Sequence, residues 1–170
     1  AEYLRLVDAA EKQPRLQLIL KTICATGIRV SELNFFTLEA VRQGEITVNC
    51  KGKTRTILLP GNLRKLLIRY AEKSGITSGV IFCTRSGKAM DRSNIWAMMK
   101  KLCEKAGVAA TKVFPHNLRK LFARTFYGIE KDIAKFADIL GHSGINTTRI
   151  YIITTGAEHK RKMESMRLII

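Results

Sequence analysis

Leu140-Gly141-His142-Ser143-Gly144-Ile145-Asn146-Thr147-Thr148-Arg149-Ile150-Tyr151 is the stretch on which the reading of this chain turns. Gly141 is placed to stop one helix and Asn146 to cap the next. His142 then falls in the connecting turn and Tyr151 a little over one turn into the following helix, so both can face one cavity. The same residues can instead make Tyr151 a core aromatic among Ile150, Ile152 and Ile153. Local pattern leaves both open.

Upstream, the periodicity predicts a helix from about Lys131 to Leu140 with Ile133, Phe136, Ala137 and Leu140 inward. Pro115 opens the helix before it, where Leu118, Leu121, Phe122, Thr125 and Phe126 share the apolar face. His116 and Arg119, three positions apart, are expected on the opposite side, with Lys120 and Arg124 continuing it. Such a face can be no more than solvated charge, and a His-x-x-Arg pair alone is a weak signal. Further upstream Ile95, Met98, Met99, Leu102, Cys103 and Ala106 form one stripe, after a cap at Asp91 or Ser93 and before a stop at Gly107.

The first half is read as a helix from Glu2 to about Gln13, a mostly apolar buried helix from Leu16 to Ala25 ended by Gly27, and a helix around Leu63, Leu66, Leu67 and Tyr70. Between them, Glu45 to Leu59 alternates apolar and polar residues around Lys51-Gly52-Lys53, which predicts a β-hairpin with a basic tip. A further short strand is expected over Gly79 to Thr84, with Ser86-Gly87 as its turn. The expected fold class is therefore mainly α with a small antiparallel β-sheet, in one domain over 1–170, because no Pro/Gly/Ser-rich linker divides the chain.

Thirty Lys+Arg against fourteen Asp+Glu give a formal charge of +16, more than solubility requires, and this points to a polyanionic partner, with nucleic acid first. No apolar run approaches the roughly 20 residues of a spanning helix, and no signal-peptide pattern opens the chain. Cys24, Cys50, Cys83 and Cys103 are far apart and hold no Cys-x-x-Cys pair, so reduced, mostly buried thiols in a cytoplasmic protein are expected, with no metal site.

Three segments taken together resemble the signature boxes of the tyrosine recombinases of the phage integrase type. They are Ala25-Thr26-Gly27-Ile28-Arg29-Val30-Ser31-Glu32-Leu33, then Pro115-His116-Asn117-Leu118-Arg119, then Leu140-Gly141-His142 with Tyr151 nine positions on. They occur in family order and, with the hairpin, span nearly the whole chain. The resemblance implies the tyrosine recombinase catalytic-domain fold and a catalytic set of Arg29, Lys51, His116, Arg119, His142 and Tyr151. The lysine position carries an ambiguity, because the usual Gly-Lys-Gly-x-Lys tip is shortened here to Lys51-Gly52-Lys53-Thr54-Arg55; distance from Gly44 favours Lys51, with Lys53 its competitor. The family also implies an N-terminal arm-like or core-binding domain, which is expected to be missing from this chain.

What the resemblance implies chemically is cleavage and rejoining of double-stranded DNA through a 3′-phosphotyrosyl intermediate, for integration or excision of a mobile element, by copies assembled as a tetramer on DNA. Arg29 and Arg119 suit the extra negative charge on a pentacoordinate phosphorane, because a guanidinium fork makes paired bonds to phosphate that a lysine cannot. His142 adds a donor, and His116 is the base for the Tyr151 phenol, whose free pKa is about 10. Lys51 protonates the departing 5′ oxygen. Neither ATP nor a metal is required, so no cofactor is expected. A type IB topoisomerase would use similar residues to relax supercoils, and a non-catalytic DNA-binding module could keep the fold. The short domain and the Leu140-Gly141-His142 box stand against the first, and the complete residue set against the second.

Overall fold

The computed structural model describes residues 2–50, 52–112, 115–129 and 131–141. Its centre is the helix that the sequence marks as buried. After α1 (Glu2–Ala9), α2 (Pro14–Thr26) starts on a proline at its first turn and closes at Gly27, whose φ of 64° and amide bond to the Ile23 carbonyl form a left-handed cap. Leu16, Leu18, Ile19, Leu20 and Ile23 are all buried. Thr22 and Thr26 are buried as well, and their hydroxyls donate to the carbonyls four residues back, at 2.7 and 2.6 Å, so neither is left unsatisfied. At roughly 1.5–3 kcal/mol per large apolar side chain, this helix is the main contributor to the core.

Around α2 pack α1, α4 (Gly61–Lys73), α5 (Arg92–Ala106) and α6 (Pro115–Ile129). Asp91 caps α5 by accepting from the Ser93 amide at 3.0 Å, and Gly107 ends it, as the sequence indicates. α7 (Ile133–Leu140) is capped by Asp132 and ended by Gly141; Phe136, Ala137 and Leu140 are buried, Ile133 half-buried. Phe136 and Leu140 join Ala123 of α6 in a second, smaller cluster, in which Phe126 stacks on Phe136 at 5.7 Å.

Strands β1 (Glu45–Cys50) and β2 (Lys53–Leu58) pair antiparallel, from Glu45↔Leu58 to Cys50↔Lys53, forming the expected hairpin. Its period-2 pattern is strict: Ile46, Val48 and Ile57 are buried, while Thr47, Thr54 and Thr56 face out. With the helices this makes the domain mainly α with a small antiparallel sheet.

The first half differs from expectation in three places. α1 stops at Ala9 and a turn carries the chain to Pro14. A short helix, α3 (Leu38–Gln43), occupies a stretch the sequence pattern leaves unassigned; Thr37 caps it, accepting from the Ala40 amide at 3.2 Å. The strand expected over Gly79 to Thr84 is not formed. That segment makes single bridges, Thr37↔Val80 and Cys83↔Ala89, because it hydrogen-bonds to Phe36 on one side through the Ile81 amide and to Met90 on the other through the Phe82 carbonyl. With partners that change along its length it builds no ladder, while the turn at Ser86-Gly87 does form, closed by Thr84 and Lys88 at 2.7 Å. Cys24 and Cys83 are free and half-buried and Cys103 is free and buried; burial pushes the Cys24 thiol up to about 12.

Candidate active site

Gly27 begins the site by letting the chain turn out of α2. Besides its positive φ, it has no room for a side chain, because a Cβ there would overlap the Phe122 ring of α6. Two residues on, Arg29 is extended (φ −80°, ψ 152°) and leads into a 3-10 turn over Val30–Phe35. Glu32, in that turn, folds back on Arg29: one carboxylate oxygen accepts from the Arg29 amide at 2.7 Å and the other from Arg29 Nη1 at 3.1 Å. The Arg29 side chain, 42% exposed, is thereby held on the edge of a cleft of about 560 Å³.

Across that cleft stand His116 and Arg119 of α6, with Arg92, Ser93 and Trp96 from the start of α5 completing the wall. Three of the expected catalytic residues, from segments about 90 positions apart, thus converge. Arg119 does not lie on a solvated face as its spacing suggested. It is 3% exposed, its Nη1 donating to the Gly27 carbonyl and its Nη2 to the Leu140 carbonyl at 2.6 Å. α6 is rotated to match: Leu118, Arg119 and Ala123 are buried, whereas Leu121 and Thr125, assigned to the apolar face, are exposed. A buried guanidinium is tolerated here because carbonyls from two segments receive it.

His116 is an exposed residue, yet loss of hydration on its protein side, followed by the charges of Lys120 and Arg119, lowers its pKa from the ordinary 6.5. Near neutrality the ring is therefore uncharged, the form that accepts a proton. Lys51, His142 and Tyr151 lie outside the described residues, and so does the helix expected to begin at Asn146. Lys53, the rival to Lys51, is the first residue of β2. Among the described residues no group of three or more His, Cys, Asp or Glu could hold a metal ion, and no helix is long and apolar enough to cross a membrane.

Two residues of the site escaped the sequence reading. Glu32, quoted only as part of a motif, is buried, and Arg55, read only as hairpin tip, donates from Nη2 to Glu32 Oε2 at 2.5 Å and from Nη1 to the Ile139 carbonyl at 2.6 Å. Burial pushes the Glu32 carboxyl up, but the Arg55 bond, the Arg29 amide and the two guanidinium charges outweigh it and hold its pKa below 4.5. The alternation of β2 held the missed signal: Arg55 is in phase with buried Ile57.

The mainly helical architecture with a small antiparallel hairpin is the fold of tyrosine recombinase catalytic domains. The chain belongs to that group: the model of the phage integrase family matches residues 1–157. It is 31% identical over 159 residues to tyrosine recombinase XerD of Vibrio cholerae serotype O1, covering 86% of this chain and 53% of the relative. It is likewise 31% identical to tyrosine recombinase XerA of Pyrococcus furiosus, covering 99% of this chain and 60% of the relative. The crystal structure of a XerA recombinase superposes with a TM-score of 0.82 at 28% identity, over 99% of this chain and 62% of that one. The chain thus spans between about half and three fifths of the relatives' length.

Proposed function

We propose that this chain is the catalytic domain of a site-specific DNA recombinase that cuts and rejoins strands through Tyr151, acting in the cytoplasm for integration or excision of a mobile element. The observation that carries the reading is the meeting of Arg29, His116 and Arg119 on one cleft. In the step envisaged, the Tyr151 oxygen bonds to the scissile phosphorus as the bond to the 5′ oxygen breaks. The phenol proton passes to neutral His116, and Lys51 supplies a proton to the departing 5′ oxygen, which leaves as a hydroxyl. Arg29 and Arg119, with His142, meet the charge that builds on the non-bridging oxygens. Attack by a 5′ hydroxyl reverses the step with no external energy source, because the phosphotyrosyl ester conserves the linkage.

Double-stranded DNA is the substrate that the charge of +16 favours. Exchange between two duplexes needs four active sites, so a tetrameric synapse is part of the proposal. A lambda integrase with the same fold, at 21% identity, has been crystallised as a tetramer bound to a Holliday junction.

The test uses a pool of duplexes with a randomised centre, each nicked opposite the position to be cut so that the released fragment diffuses away. The wild-type protein should form an SDS-stable adduct with a subset of the pool, leaving a 5′ hydroxyl end, in the presence of chelator. Tyr151→Phe should bind DNA and form no adduct. Mapping the adduct to a Tyr127 peptide or to a serine would overturn the reading. Tyr127 already has a structural role: its ring packs on Phe136 at 6.3 Å.

A further inference from the structure

Arg55 occupies a position that the hairpin reserves for apolar side chains. Its register partner Val48 and its in-phase neighbour Ile57 are buried, and its own side chain is 15% exposed. An arginine carried inward must find acceptors. It finds two on separate segments: Glu32 in the 3-10 turn after Arg29, and the Ile139 carbonyl in the last turn of α7. The stem between them lies against Gly141, where a Cβ would overlap Arg55 Cδ, so the glycine of Leu140-Gly141-His142 leaves room for this arginine as well as adopting φ 64°. Arg119 takes the next carbonyl, Leu140, so two arginines grip successive carbonyls of the helix end that precedes His142.

We propose that Arg55 is a positioning residue for strand cleavage: through Glu32 it sets the guanidinium of Arg29, and through the Ile139 carbonyl it fixes the end of α7. Both of its Nη atoms are directed at protein acceptors. It makes the hairpin, the first arginine and the approach to His142 one rigid unit, and this role rests on the recombinase reading above. Glu32 is the hub, faced by Arg29 on its own turn and by Arg55 from β2, and loss of either partner leaves the other's geometry less determined.

The experiment uses the nicked duplex that the wild-type protein captures covalently from the randomised pool, and an intact version of the same sequence. Single-turnover adduct formation is measured at saturating protein, and Kd on the intact duplex by fluorescence anisotropy, at a temperature where circular dichroism shows each variant folded. Arg55→Gln is expected to slow cleavage by about 100-fold, the scale on which a small misplacement of catalytic groups acts, with Kd changed by less than about threefold. Arg55→Lys can keep the bond to Glu32 but cannot span both acceptors, so it should regain about tenfold of that loss and remain slower than wild type. If Arg55→Gln proves unfolded, Arg55→Lys carries the test, with cleavage about tenfold below wild type at unchanged Kd. In a Glu32→Gln background, Arg55→Gln should cost clearly less than its own 100-fold, about tenfold, because the path through Glu32 to Arg29 is already lost and only the tie to the Ile139 carbonyl remains to be removed.

Cleavage by Arg55→Gln at the wild-type rate, loss of affinity in step with rate, or full multiplication of the two substitutions would each overturn the proposal. These results are separable from failure of the recombinase reading, which shows as absence of a Tyr151 adduct in the wild-type protein and takes this inference with it.

Discussion

Arg119 is the residue whose environment says most. Its two bonds to backbone carbonyls need a fork, and a lysine can supply a donor to only one of them. Arg119→Lys is therefore expected to lose most cleavage while keeping much DNA affinity, and to lower stability by about 1–3 kcal/mol for the carbonyl left unsatisfied. Parallel adduct, anisotropy and urea-melt measurements check this, and affinity falling as far as activity would count against it. Gly27→Ala combines a left-handed φ with overlap of Phe122, and a loss of about 2 kcal/mol or more in the same melt is expected. The titrating residues give a signed pH dependence. Native Glu32 holds its proton less readily than the unfolded carboxyl near 4.5, so its contribution is complete above that pH and is lost as pH falls through the lower native value. Native His116 likewise binds its proton less readily than the free ring at 6.5, so stability also declines as pH falls below that value. The urea midpoint should thus fall between about pH 5 and pH 3, and fall less in Arg55→Gln, where the unfolded-to-native difference at Glu32 shrinks. An equal fall in the two proteins would refute the assignment.

At the scale of elements, what could be read in advance depended on whether a segment answers to local rules. α5 was legible because an apolar stripe, a cap residue and a terminal glycine agree, α7 because its stripe runs up to Gly141, and the hairpin because apolar and polar residues alternate on either side of a basic tip. α6 was located correctly but rotated wrongly: its buried side holds a charged residue whose acceptors, on Gly27 and Leu140, are distant in sequence, so the hydrophobic pattern alone could not find it. The segment over Gly79 to Thr84 failed for a related reason, since whether an extended stretch becomes a strand depends on its partner, and here the partner changes. The same logic limited the site. Arg29, His116 and Arg119 were named by motif, whereas Glu32 and Arg55 have roles fixed by contacts between elements. Asp132 offers a prediction at this scale: it accepts from the amides of Ala134 and Lys135 at 2.9 and 3.3 Å. Asp132→Ala should cost about 1 kcal/mol, measured by thermal melting, and should slow cleavage as well, because α7 leads directly to His142.

For the chain as a whole, the charge of +16 favours a polyanionic partner, and under the proposed function it makes binding depend on salt. If six to ten phosphates are contacted, DNA affinity should fall by about 10³ to 10⁵ between 50 and 200 mM salt, linearly on logarithmic axes; a flat profile would mean that the cations serve something else. The two apolar clusters divide the fold unequally. The larger draws mainly on residues up to Val108, the smaller on Ala123, Phe136 and Leu140, and Arg119 ties them through Gly27 across 92 positions of chain. That tie has a consequence for the order of events in folding. A bond closing so long a loop is entropically costly until both ends are already structured. The cleft should therefore assemble last, after the helical core around α2, so that in a refolding experiment recovery of cleavage lags behind recovery of helical circular dichroism. A nascent chain would then have its scaffold before it has the means to cut DNA.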